Sequence, residues 1–159
     1  MGGTATPWSH PEKEKCLSRS ADIDFRFAAP VVVSGLLNEL AAAGCSLSYR
    51  GEVGYVFDED QMFDWARAED SRVADLLARA DALPDSMTVG FTILVDVPSE
   101  AGGDLLFQPG RAEVSLMASV NRRKIARSAV FTDLGWYLNR LVPVLEPLGL
   151  VEIEAKDLA

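Results

Sequence analysis

Apolar and polar positions alternate most regularly between Thr88 and Val97. Val89, Phe91, Ile93, Val95 and Val97 fall on one side, and Thr88, Gly90, Thr92, Leu94 and Asp96 on the other. A period of two predicts a strand with one face in the core. The same period recurs where Ala112, Val114, Leu116 and Ala118 alternate with Arg111, Glu113, Ser115, Met117 and Ser119. It recurs again where Ile23, Phe25 and Phe27 alternate with Asp24 and Arg26. Between the first two runs, Ala101-Gly102-Gly103 reads as a turn before Leu105 and Phe107, and Pro109-Gly110 as a second turn. Three consecutive strands with short links predict an antiparallel meander.

Elsewhere the period lengthens. Val33, Leu36, Leu37 and Leu40 fall at i, i+3, i+4 and i+7, after Pro30 and before Gly44, which marks a helix end. Val73, Leu76, Leu77 and Ala80 predict a second helix, stopped near Leu83-Pro84. Leu134, Leu138, Leu141, Leu145 and Leu148 predict another, with Thr132 as N-cap and Phe131 stapled to Trp136. Pro143 should kink or break it, Gly149 ends it, and Leu150 to Ala155 reads as a last strand. Leu47 and Tyr49, then Val53, Tyr55 and Phe57, flank Arg50-Gly51-Glu52 and predict a hairpin. Asp58 with Gln61 resembles a capping box and predicts a short helix through Met62, Trp65 and Ala66. The expected order is β-α-β-β-α-α-β-β-β-α-β. It defines an α+β fold, mainly an antiparallel sheet with helices packed on one face.

The 159 residues are 48% hydrophobic, enough apolar material for one core without a metal or disulfide staple. Residues 21–159 read as a single domain. Residues 1–20 carry no hydrophobic period. Within them, Trp8-Ser9-His10-Pro11-Glu12-Lys13-Glu14-Lys15 resembles the streptavidin-binding peptide tag. Trp8, Ser9, His10, Pro11, Glu14 and Lys15 match that tag, and Glu12 and Lys13 replace its central Gln-Phe pair. The resemblance covers eight residues and implies a flexible leader that stands outside the fold.

Charge narrows the function. A formal net charge of -9 and a pI near 4.6 argue against nucleic acid or an anionic membrane as partner, and for a basic protein partner or simply a soluble monomer that repels its neighbours. No signal-peptide core or membrane-length apolar run is present, and Cys16 and Cys45 make no disulfide framework, so the expected compartment is the cytoplasm. His10, in the leader, is the single histidine. The domain therefore lacks the base of a nucleophilic triad and a His/Cys zinc set. No phosphate-cradling Gly-rich loop opens a helix either. Asp58, Glu59, Asp60, Asp64, Glu69 and Asp70 crowd one stretch without the spacing of a calcium loop. No cofactor or metal is expected.

With Phe63 and Trp65 among them, those acids form instead a candidate partner-binding patch, aromatic anchors within a charged rim. The basic cluster Arg122, Arg123, Lys124 and Arg127 could hold a phosphate or carboxylate, though a solvated turn or an intramolecular pairing with the acid-rich stretch is its default role. These features favour a non-enzymatic, acidic protein-binding domain, in its concrete form an inhibitor or immunity-type protein for a basic toxin. A second reading is a small-molecule or carboxylate-based enzyme domain using Asp96, Asp133, Tyr55 and Arg123. A third is a homodimer joined through an unpaired edge strand.

Overall fold

A computed structural model describes residues 20–58 and 62–158. Seven strands form one sheet: β1 (Ser20–Phe27), β2 (Glu52–Asp58), β3 (Ala66–Glu69), β4 (Thr88–Asp96), β5 (Ala101–Phe107), β6 (Glu113–Val120) and β7 (Leu150–Leu158). Their order is β3-β2-β4-β5-β6-β1-β7, and every neighbouring pair is antiparallel. Among the described residues three α-helices complete the α+β fold: α1 (Val33–Ala42), α2 (Val73–Ala82) and α3 (Leu134–Leu145).

The apolar phase of each alternating strand explains the layering. Ile23, Phe25 and Phe27 of β1 join Val89, Phe91, Ile93 and Val95 of β4, Leu105 and Phe107 of β5, and Val114 and Leu116 of β6 in one buried cluster. The helices close that cluster with Leu36, Leu37 and Leu40, with Leu76 and Ala80, and with Tyr137, Leu141 and Leu145. Removing this surface from water at about 25 cal/mol per Å² is the main force holding the layers together. At the N-terminus of α1, Asp81 of α2 accepts from both the Ser34 amide and the Ser34 hydroxyl, so one helix caps the other.

Several segments depart from the sequence pattern. The Ala101-Gly102-Gly103 turn is instead the start of β5. A Cβ on Gly102 would collide with the Ile93 carbonyl, and one on Gly103 with the Met117 carbonyl, so glycine here serves close strand approach. The turn lies just before it, with Glu100 at φ 55°. The expected strand at Leu47–Tyr49 is reduced to bridges: Ser46 pairs with Leu94, and Tyr49 with Glu52. The tight turn between them survives, with Arg50 and Gly51 at positive φ. The expected short helix is not formed by the described residues of this stretch: Asp58 ends β2, residues 62–65 are irregular, and Ala66 begins β3. Asp58 accepts from the Phe63 amide at 3.0 Å, Phe63 turns to φ 52°, and the chain returns as β3 beside β2.

At α3 the cap is Asp133, which accepts from the Trp136 amide at 3.2 Å, one residue later than expected. Thr132 is buried and bonded to Arg122, while Phe131 is half exposed. The helix continues two residues past Pro143, then tightens into a 3-10 turn (Glu146–Leu148) that Gly149 ends in the left-handed region. Arg111, in the polar phase of a strand by pattern, occupies the β5–β6 turn at φ 60°. It is buried and donates to the carbonyls of Pro84, Met87 and Gln108, tying that turn to the end of α2.

Candidate functional site

The face of the sheet opposite the helices is built from the polar phase of the same strands. Register fixes its rows: Asp22 lies beside Met117 and Lys156, Asp24 beside Ser115 and Glu154, and Arg26 beside Glu113 and Glu152. Two loops cover its β2–β4 half. Tyr49 packs on Leu94 and Val120 at one end. At the other, Trp65 crosses Gly90 between Val56 and Leu106, so closely that a Cβ on Gly90 would lie 2.9 Å from the indole. Among the described residues no helix covers the β5-β6-β1-β7 half.

That half is acidic. Asp22, Asp24, Asp104, Glu113, Glu152 and Glu154 line it, against Arg26 and Lys156. Arg26 is committed to Glu152 at 2.5 Å, an exposed pair whose hydrogen bond pulls the carboxyl below its ordinary range and pushes the guanidinium above. Some of the polar groups are tied together: Thr92 donates to Asp104 at 2.9 Å, and Gln108 to Ser115 at 3.2 Å. Asp22 Oδ2 accepts from Ser20, but Asp22 Oδ1 and the Ser119 hydroxyl are buried without a hydrogen-bond partner. Half-buried Leu106 and exposed Met117 supply apolar surface among these groups.

The partner-binding patch expected from the sequence is dispersed. Asp58 is buried at the end of β2 and occupied with the Phe63 amide. Glu59 and Asp60 lie outside the described residues. Phe63 and Asp64 are exposed, and Asp70 accepts from the Ser48 hydroxyl at 2.8 Å. Glu69 sits opposite Glu52 on the β2–β3 ladder. Trp65 reaches the helix-free face, half-buried, and rims the acidic area from the β4 side. The carboxylates of β1, β5, β6 and β7 were missed as a group, although their signal was present as the polar phase of the alternation. What the sequence lacked was the strand order that sets them side by side.

Of the residues considered for chemistry, Asp96 and Arg123 converge. A register shift between Leu94 and Asp96 brings Asp96 to Arg140 of α3 at 3.5 Å. The Ser99 hydroxyl, donating at 2.6 Å, does most to hold the Asp96 carboxyl below the usual range; the Ser99 amide, Arg140 and Arg123 add to it. Arg123 and Arg140 each place a guanidinium over Trp136, at 4.8 and 4.6 Å from its ring centre. Buried Tyr137 accepts from the Arg123 amide at 2.8 Å, and burial pushes its hydroxyl pKa up. Asp133 is used as a helix cap, and Tyr55 packs against Phe57 elsewhere on the sheet.

Cys45 is a free thiol, pushed up to about 11 by burial. A shallow pocket of about 360 Å³ between α1 and α3 is lined by Pro143, Val144, Leu148 and the single carboxylate Glu39. Among the described residues no three His, Cys, Asp or Glu side chains are grouped as metal ligands, and no helix is long and apolar enough to cross a membrane. No family model, curated protein or solved structure matches the chain.

Proposed function

We propose that this chain is a protein-binding domain that engages a basic partner through the half of its sheet that none of the described helices covers. One observation carries the reading: six carboxylates face two cations across four adjacent strands, and one of those cations is already paired. A predominantly negative field on a pre-organised surface speeds encounter with a cationic protein and fixes its orientation. Trp65, Leu106 and Met117 add apolar and aromatic contact of the kind that slows dissociation. An inhibitor or immunity-type role, in which this face covers a basic toxin surface, is the concrete form of the proposal.

Affinity capture with the full chain tests it, comparing wild type with the Asp24→Asn, Asp104→Asn, Glu154→Gln triple variant. The expected result is a basic protein held by wild type, weakened at moderate salt, and lost with the variant. Equal retention by both, or retention of acidic proteins alone, would sink the reading.

A further inference from the structure

The loop between β6 and α3 carries the opposite charge and has a structure of its own. Lys124 bridges Thr132, the Ile125 amide donates to Phe131, the Ser128 amide to Ile125, and the Asp133 amide to Arg123. Arg122 donates inward to the Val130 carbonyl at 2.8 Å and the Thr132 hydroxyl at 2.6 Å. The Ser128 hydroxyl accepts from the Phe131 amide, and the Thr132 amide donates to Asp157 of β7. The loop is thus a braced protrusion.

Its outward side chains are of two kinds. Ile125, Val130 and Phe131 are large apolar groups, 48%, 45% and 49% exposed on this anchored segment. Arg123, Lys124 and Arg127 are exposed beside them. None of these three is in an ion pair among the described residues, in a chain with nine more acidic than basic groups. Of the two default roles expected from the sequence, a solvated turn or a pairing with the acid-rich 58–70 stretch, the pairing is not made by the described residues. Arg123 is already stacked on Trp136, so its guanidinium is oriented before any ligand arrives. Arginine and tryptophan are among the residue types that dominate binding energy at interfaces, phenylalanine is enriched there, and pre-organisation lowers the entropy lost on docking.

We infer that this protrusion is a second docking surface, and that its occupant is an acidic peptide segment of a partner protein carrying apolar residues among its carboxylates. Charge complementarity selects the acid. The apolar trio selects side chains over a free anion. A narrow peptide is favoured over an anionic membrane because β7 ends and β1 begins within the same region, bringing Asp157, Glu154 and Asp22 toward any extended negative plane. A peptide meets the protrusion locally, within a Debye length of about 10 Å.

Fluorescence anisotropy with the full chain tests this, using a short dye-labelled peptide of glutamates flanking a central Leu-Leu pair. Saturable binding is expected, ~10-fold or more weaker in Arg123→Glu/Lys124→Glu and separately weakened in Ile125→Ser, whose circular dichroism reports whether the fold is kept. Binding that is absent, or indifferent to both variants, overturns the inference. Two further outcomes overturn it in favour of another occupant. One is retention on phosphatidylserine vesicles without peptide binding. The other is self-association by sedimentation equilibrium that the charge reversal abolishes.

Discussion

Gly90 shows how one absent side chain shapes the functional face. A Cβ there would lie 2.7 Å from Leu106, 2.8 Å from Val56 and 2.9 Å from Trp65, all closer than real contacts. Gly90→Ala should therefore cost about 1–3 kcal/mol in urea denaturation. It should also red-shift Trp65 emission in a chain whose other tryptophans are phenylalanine. An unshifted spectrum would mean that the indole does not rest on this glycine. Cys45 gives a second test at this scale. Its thiol ionises at about 11 in the fold against 9.0 when unperturbed, because burial penalises the thiolate. The folded state thus holds its proton more tightly. That contribution to stability is complete below pH 9 and is lost as pH rises toward 11. In a Cys16→Ser background, Cys45 should react with a thiol reagent at neutral pH far more slowly when folded than when unfolded. Equal rates would contradict the burial.

At the scale of elements, amphipathic periods made α1, α2, α3 and the strands β1, β4 and β6 legible. Elements whose identity depends on a distant partner were not. β3, Ala66–Glu69, consists of residues that suit a helix by intrinsic preference, and it becomes a strand because β2 offers it a ladder. Gly102-Gly103 looked like a turn because sequence shows the flexibility of glycine but not the neighbouring carbonyls that exclude a Cβ. The cap of α3 moved from Thr132 to Asp133 because Thr132 is drawn into the loop by Arg122 and Asp157. Asp133→Ala should cost ~1 kcal/mol by the loss of that cap, measured as a shift in denaturation midpoint with unchanged slope. Arg111→Met should cost more, about 2–3 kcal/mol, because several buried carbonyls lose a charged donor together.

Across the whole molecule, topology does what no local pattern announces. Placing β1 between β6 and β7 brings acids from positions 22, 24, 113, 152 and 154 into adjacent rows, though they are far apart in the chain. The sequence showed that the chain was acidic and where its polar phases lay. It pointed to the 58–70 stretch because local density is all that a linear reading can see. The fold buries part of that stretch, turns Trp65 onto the sheet, and leaves the long-range set of carboxylates on the face without helices. The basic protrusion lies in the β6–α3 connection, so this one chain separates its charge into two surfaces of opposite sign.

The most direct test of the central claim is the association rate of the full chain with the basic protein it retains, measured across a series of salt concentrations. A rate that falls steeply with salt, and is ~10-fold lower at low salt for the Asp24→Asn, Asp104→Asn, Glu154→Gln variant, is the predicted result. A rate that ignores salt and those three substitutions would show that the helix-free face is not where the partner lands.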